Sequence, residues 1–222
     1  MNISMAIKGI VGAVLIVGAS VAVRADVKIT YSPKLQKHLS EINEHETRSE
    51  TEIREDRADW KALALKRGVN PEKIERNRKP RTNDRLIPDI EDYSVTNLLK
   101  VMFERGVKEA DPDFKGDVLV HVERLGVHTH AVSILRAGDT YMIGTVKLVA
   151  PDGTILVEKK VTANPVRRFV SDRQYDGPNY VYWQGSLNQT VGPIFAYFSK
   201  KALDRLFPDY DAPGLVVWRT RH

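Results

Sequence analysis

The chain has 222 residues, with 34 lysines and arginines against 29 aspartates and glutamates, and it contains no cysteine. A formal net charge of +5 is too small over this length to indicate a nucleic-acid-binding protein. The lack of cysteine excludes disulfides, thiolate metal sites and a cysteine nucleophile. Burial of apolar side chains must therefore stabilise the fold, and the length suffices for one domain with an appendage.

The beginning of the chain has the layout of a secretory signal. A single lysine precedes an apolar run over residues 10–23, and Val23 and Ala25 stand three and one positions before Asp26. This run is shorter than the about 20 residues that a membrane-spanning helix needs. We therefore predict a signal peptide over residues 1–25 and a periplasmic or secreted protein, with a retained membrane anchor as the alternative. No cysteine stands at the cleavage site to carry a lipid.

Residues 26–89 are predicted to form a charged helical arm followed by a linker. Apolar and polar residues alternate over 26–31, which is typical of a short strand. Helical spacing then continues to Ile42, lapses over 43–52 and resumes until Gly68, which predicts one or two helices. Helices this polar have little to bury and are expected to project from the body. Oppositely charged pairs four residues apart support them: Glu44 with Arg48 and Glu50 with Arg54.

Positive charge concentrates at the end of this arm. The residues concerned are Lys66, Arg67, Lys73, Arg76, Arg78, Lys79 and Arg81. A cluster of this kind can attract anionic lipid head groups or phosphorylated sugars. A solvated linker without a ligand is the alternative interpretation.

Residues 90–222 are predicted to form an α+β domain. Apolar stripes at helical spacing predict amphipathic helices over about 94–110 and 193–207. Alternation predicts a strand over 117–125, and residues 215–218 are read as an edge strand. An antiparallel sheet packed by the two helices on one face accounts for this order of elements.

A β-hairpin over about 140–162 lies at the centre of the predicted sheet. Pro151 and Gly153 suit the second and last positions of a type I turn. If Ala150 pairs with Gly153, then Val146 lies opposite Val157 on the apolar face. The same register places Leu148 opposite Ile155 and Met142 opposite Val161.

This order of elements can be compared with known families. The helix reads VTNLLKVMFERGV, the strand GDVLVHVERL, and the hairpin region GDTYMIGTVKLVAPDGTILVEKKVTANPV. Together with the last helix, this order resembles a group of uncharacterised bacterial envelope proteins, many of them lipoproteins, with a domain of unknown function. The resemblance covers about residues 90–207, and it implies a location and a fold but no catalytic residues. The missing lipid-bearing cysteine and the charged region over 33–89 depart from that pattern.

Three histidines close together in the sequence form a candidate metal site. His121, His128 and His130 could bind zinc or copper, with Glu123 or Asp139 completing the ligand set. No HExxH or comparable signature accompanies them. The alternative is a set of ordinary surface histidines on a half-exposed strand.

An aromatic segment preceded by arginines is the candidate binding surface. Residues 175–185 read YDGPNYVYWQG, and aromatic planes beside arginines are typical of contact surfaces. The candidate residues are Arg167, Arg168, Arg173, Tyr175, Tyr180, Tyr182 and Trp183. The alternative is a loop folded over the sheet with its aromatic side chains buried.

The sequence carries no recognised catalytic motif. It lacks GxSxG and SxxK elements and the glycine-rich phosphate loops, so no cofactor is predicted. Asp172 and Asp176 could act as acid and base, but their spacing alone does not show that they converge. We therefore predict a non-catalytic periplasmic protein that binds an envelope protein or an anionic lipid or glycan surface. The alternatives are a metal- or carboxylate-dependent hydrolase acting on envelope material, and a structural subunit that oligomerises through the helical arm.

Overall fold

Two sheets and three helices make up the part of the chain that the structure describes. The computed structural model describes residues 25–69, 86–87, 90–127, 140–164, 169–170, 175, 177–183 and 191–218. The strands are β1 Asp26–Tyr31, β2 Asp117–Gly126, β3 Tyr141–Val149, β4 Ile155–Ala163, β5 Phe169–Val170, β6 Tyr180–Trp183 and β7 Leu215–Trp218. The helices are α1 Pro33–Lys66, α2 Val95–Ala110 and α3 Val191–Leu206. The predicted signal peptide and most of the basic segment lie outside these residues.

A four-stranded mixed sheet confirms the predicted α+β class. Its strand order is β1-β2-β3-β4, and only the β1–β2 pair is parallel. The prediction assigned β1 to the arm, whereas in the structure it is the edge strand of the main sheet. Val27 of β1 lies beside Val118 of β2 and is buried. This burial stabilises β1 at the edge of the sheet.

The hairpin forms where it was predicted, but its register differs by two residues. Ala150 N donates to Thr154 O at 2.8 Å, and Gly153 N donates to Ala150 O at 2.9 Å. Gly153 has a φ of 87°. The glycine in the left-handed region therefore adds one residue to the loop. A bulge at Leu156 adds a second, so Val146 lies opposite Lys159, not Val157.

Beyond the bulge, the two shifts together preserve the faces of the sheet, because side chains alternate along a strand. Val157 consequently shares a face with Val146, as predicted, although it pairs with Leu148. Met142 pairs with Ala163 instead of Val161. Ile155 precedes the bulge and is shifted by one residue only: it pairs with Val149, not Leu148, and is exposed, so its predicted place on the apolar face is wrong.

Helices α2 and α3 cover one face of this sheet and form the core with it. Phe103 of α2 meets Phe198 of α3 edge to face, with ring centroids 6.3 Å apart. Both helices lie within two residues of their predicted bounds. The buried apolar side chains of the two helices are Val95, Leu98, Leu99, Met102, Phe103, Val107, Val191, Ile194, Phe195, Ala196, Phe198, Ala202, Leu203 and Leu206. Each large one contributes about 1.5–3 kcal/mol on full burial.

Helix α1 is a single helix, and its first half does not project from the body as predicted. Ser32 accepts a hydrogen bond from Leu35 N as the N-cap and donates its own N–H to Val122 O of β2 at 2.9 Å. Asn43 Oδ1 accepts from Val95 N, the first amide of α2, at 2.9 Å. Arg54 donates to the carbonyl of Ile90 at 2.7 Å. The helix therefore lies against the body through residue 54.

Ion pairs within α1 support the helix across the stretch where the apolar spacing lapses. Both predicted ion pairs are present: Arg48 with Glu44 at 2.8 Å and Arg54 with Glu50 at 2.9 Å.

The C-terminal end of α1 also agrees with the prediction. Gly68 follows the C-cap residue Arg67 with a φ of 67°, which confirms the predicted helix end.

The smaller sheet changes the interpretation of the C-terminal half. Its order is β5-β7-β6, with both pairs parallel. The strand Leu215–Trp218 was predicted at an edge, but it lies in the centre of this sheet. The aromatic segment, read as irregular, contributes strand β6.

Substitution of Gly106 with alanine is predicted to destabilise the protein. A Cβ at this position would lie 2.2 Å from Leu203 Cδ1, at the contact between α2 and α3. Overpacking of a core costs about 1–3 kcal/mol, which exceeds the roughly 1 kcal/mol gained in helix propensity. We expect Gly106→Ala to lower the free energy of unfolding in urea by up to about 2 kcal/mol.

The double variant with Leu203→Ala tests the cause. If the Leu203 methyl groups create the clash, the two substitutions are not additive, and the double variant is more stable than their sum implies. Additive effects would contradict this explanation.

Candidate functional site

The aromatic side chains predicted to form a binding surface are largely buried. Tyr180 is 1% exposed and Tyr182 2%, and Val181 on the opposite face of β6 is also buried. Parallel strands are typically covered on both faces, which accounts for this burial. The prediction of an exposed aromatic surface is therefore wrong for Tyr180 and Tyr182, and the alternative of buried aromatics is correct for them.

The remaining residues of the predicted surface are only partly described. The backbone of Trp183 belongs to β6, but its side chain lies outside the described residues, as do Arg167, Arg168 and Arg173. Tyr175 is half-buried, and its hydroxyl accepts a hydrogen bond from Asn179 Nδ2 at 2.6 Å. This hydrogen bond links Tyr175 to Asn179 within the aromatic segment.

The Tyr175 ring fills the space beside Gly177. A Cβ at Gly177 would lie 2.1 Å from the Tyr175 hydroxyl, so a larger residue would displace the ring. Asn179 Oδ1 accepts from Gly214 N at 2.9 Å and links this segment to the start of β7. The segment from 177 to 179 is thus tied to the strand beside it.

The histidine site is described only at His121. This side chain is exposed on β2, and its Nδ1 lies 3.0 Å from Thr30 Oγ1. His128, His130 and Asp139 lie outside the described residues. Within the described ranges, no group of three potential metal ligands converges.

Glu123, the other proposed ligand, has protein partners. It is the extra residue of a bulge in β2, and its carboxylate accepts from Lys160 Nζ at 2.8 Å and Thr145 Oγ1 at 3.0 Å. These hydrogen bonds, first that of Lys160, lower the pKa of Glu123. A metal ion would have to displace the lysine, so the metal site stays a prediction without support from these contacts.

A cleft of about 450 Å³ opens beside the predicted segment. It lies between the C-terminal half of α2, the loop after α3 and the turn before β6. The lining residues are Leu86, Arg105, Glu109, Gly177, Pro178, Tyr210, Asp211 and Pro213. The aromatic segment therefore reaches this cleft, but through Gly177 and Pro178 instead of its tyrosines.

A hydrogen-bonded network crosses the cleft. Arg105 donates to Glu109 Oε1 and to the carbonyl of Leu86, each at 2.5 Å, and the Tyr210 hydroxyl donates to Glu109 Oε2 at 2.7 Å. Lys200 donates to Asp211 Oδ1 at 2.7 Å. Each carboxylate of the cleft thus has a cationic partner.

Two residues of the cleft, Tyr210 and Asp211, have shifted pKa values, as does the buried Tyr180. Burial raises the pKa of Tyr180, and burial together with the hydrogen bond to Glu109 raises that of Tyr210. The hydrogen bond from Lys200 lowers the pKa of Asp211. These shifts keep the two phenols neutral and the Asp211 carboxylate ionised around neutral pH.

Sequence reasoning did not identify the polar residues of this cleft. The spacing of Arg105 and Glu109 is that of a helical ion pair, which is a common surface feature and carries no functional signal. Tyr210 is 101 residues from Glu109, so nothing local connects them. Only the contact between α2 and the loop after α3 brings them together.

No protein family, curated protein or solved structure matches the chain. The resemblance to uncharacterised envelope proteins thus stays a prediction. Among the described residues, no helix is long and apolar enough to cross a membrane.

Tyr180 is predicted to act as a core residue and not as a contact residue. Truncation of a large buried aromatic side chain costs about 3–5 kcal/mol, so Tyr180→Ala should lower the free energy of unfolding by this amount. Tyr180→Phe keeps the ring and should cost about 1 kcal/mol or less. Denaturant unfolding of both variants measures the difference. If Tyr180→Ala were as stable as the wild type, Tyr180 would not be a core residue, and the prediction of an exposed aromatic surface would stand.

The raised pKa values predict a loss of stability at alkaline pH. Below pH 10 the phenols of Tyr180 and Tyr210 are protonated in both the folded and the unfolded chain. Above it, the unfolded chain loses these protons first, so the free energy of unfolding falls as the pH rises. We expect this fall between about pH 9 and about pH 11 to be smaller in Tyr210→Phe than in the wild type. Tyr197→Phe, outside the cleft, is the control, and an equal change in both variants would exclude Tyr210 as the cause.

Proposed function

We propose that the chain is a non-catalytic binding protein of the cell envelope and that the cleft holds a segment of a protein partner. The observation that supports this function most directly is the pairing of charges in the cleft. Glu109 is bonded to Arg105 and Tyr210, and Asp211 to Lys200. Charged groups that are already matched by neighbouring side chains suit recognition better than proton transfer.

The composition of the cleft favours a protein segment as its ligand. Pro178, Pro213 and Leu86 supply apolar surface, whereas Tyr210 and Arg105 belong to the residue types enriched at protein interfaces. Because the charges in the lining are matched, shape and hydrogen bonding would select the partner more than net charge. A peptide, with an apolar surface and regularly spaced donors and acceptors, satisfies both requirements.

The envelope location is the second part of the proposal. It rests on the signal-like beginning of the chain and on the absence of cysteine, which makes folding independent of the redox state of the compartment. In this proposal the partner would be a protein that is also exposed outside the cytoplasm.

Photo-cross-linking at the edge of the cleft tests the proposed function. Pro178 is exposed and lines the cleft, so a benzoylphenylalanine at this position should capture a discrete partner in cells. The same probe at the exposed Lys37 on α1 is the matched control and should not capture it. Tyr210→Ala should reduce the cross-linked product at least about fivefold, since it removes a central aromatic contact.

Two results would contradict this function. One is the same cross-linking pattern from positions 178 and 37, which would indicate nonspecific contact. The other is hydrolysis of an envelope fraction by the purified protein with loss of turnover in Asp211→Asn, which would favour the hydrolase.

A further inference from the structure

A second concave surface lies away from the cleft, between the edge strand β4 and helix α3. It encloses about 300 Å³ and is lined by Lys160, Thr162, Asn164, Lys201 and Arg205. We call this surface the basic groove. Among the described residues, its lining contains three cationic side chains and no acidic one, in contrast to the matched charges of the cleft.

Two cations of the basic groove are held in place by backbone carbonyls. Lys201 Nζ donates to Thr162 O at 2.9 Å, and Arg205 donates to Lys160 O. The Lys201 ammonium also lies 5.6 Å from the centroid of the Tyr197 ring. Because these contacts orient both side chains in advance, a ligand would lose less conformational entropy on ordering them.

The charges of these two cations are not neutralised by the contacts that hold them. Within the described ranges, neither Lys201 nor Arg205 has a carboxylate oxygen within 4.0 Å, whereas Lys160 is paired with Glu123 at 2.8 Å. Carbonyl oxygens carry only partial charge. An ammonium has three N–H donors and a guanidinium five, so one hydrogen bond to a carbonyl leaves further donors for a ligand.

We propose that the basic groove binds a phosphate group, with Lys201 and Arg205 as its principal ligands. Arginine and lysine together provide directional hydrogen bonds and charge for an oxyanion. Thr162 and Asn164 also line the groove, and the Asn164 side chain is an amide that can donate a hydrogen bond. A phosphate has several charged acceptor oxygens and can therefore accept from both cations at once.

The phosphate site is separate from the proposed partner cleft in residues and in charge. None of the residues that line the cleft lines the basic groove. A phosphate could belong to a lipid head group, to a phosphorylated sugar or to the free ion, and all share the recognised chemistry.

Calorimetric titration of the full chain with inorganic phosphate and with glycerol phosphate, at matched ionic strength, tests the proposal. We expect saturable binding of at least one of them or sedimentation with vesicles of phosphatidylglycerol and phosphatidylcholine. Lys201→Gln with Arg205→Gln should weaken the interaction at least about tenfold, since each removes a charge-assisted hydrogen bond. Binding of the soluble phosphates would identify a small ligand, and binding to the vesicles alone a lipid head group.

Two further variants separate phosphate binding from folding and from general charge. Asn164→Asp places a negative charge in the groove and keeps Lys201 and Arg205, whose hydrogen bonds hold α3 to β4. It should therefore also weaken binding about tenfold, in a protein that still folds. Lys34→Gln with Lys37→Gln removes the same charge from exposed positions on α1 and should leave binding unchanged. No binding by the wild type, or equal weakening in the α1 variant, would overturn the proposal. Neither result depends on the photo-cross-link at Pro178.

Discussion

The close contact of α2 and α3 over one face of the main sheet is the constraint on which the rest of the structure depends. Gly106 lets the two helices approach until Leu203 fills the space where a Cβ would stand. This contact also fixes how close the C-terminal end of α2 lies to the loop after α3. The cleft contains Glu109 on α2 and Tyr210 in the loop after α3. A change in the separation of the two helices would break the hydrogen bond from Tyr210 to Glu109.

Helix α3 lines the basic groove with one side and supports the cleft from another. Lys200 faces the loop after the helix and pairs with Asp211, whereas Lys201 and Arg205 face the edge of β4. Neighbouring lysines on a helix point about 100° apart, which follows from 3.6 residues per turn. One amphipathic helix thus contributes its apolar stripe to the core, a partner for Asp211 of the cleft and two cations to the basic groove.

The edge of β4 is protected by the same side chains that form the basic groove. An edge strand exposes unpaired backbone groups, which can pair with another chain and lead to aggregation. Lys201 and Arg205 occupy the carbonyls of Thr162 and Lys160, and the bulge at Leu156 interrupts the regular edge beyond them. A structural role and a binding role are compatible here because capping a carbonyl leaves the positive charge in place.

The sequence by itself determined the elements whose signals are local. The helices α2 and α3, the hairpin turn and the faces of its strands follow from apolar periodicity, a proline and a glycine, all read within a few residues. These signals do not specify what lies against each element. The tertiary structure alone decided that β1 joins β2 in parallel, that Asn43 draws α1 to α2, and that Tyr180 and Tyr182 are core residues. It also brought Arg105 and Glu109 to Tyr210, since each of these outcomes depends on contacts between residues far apart in the chain.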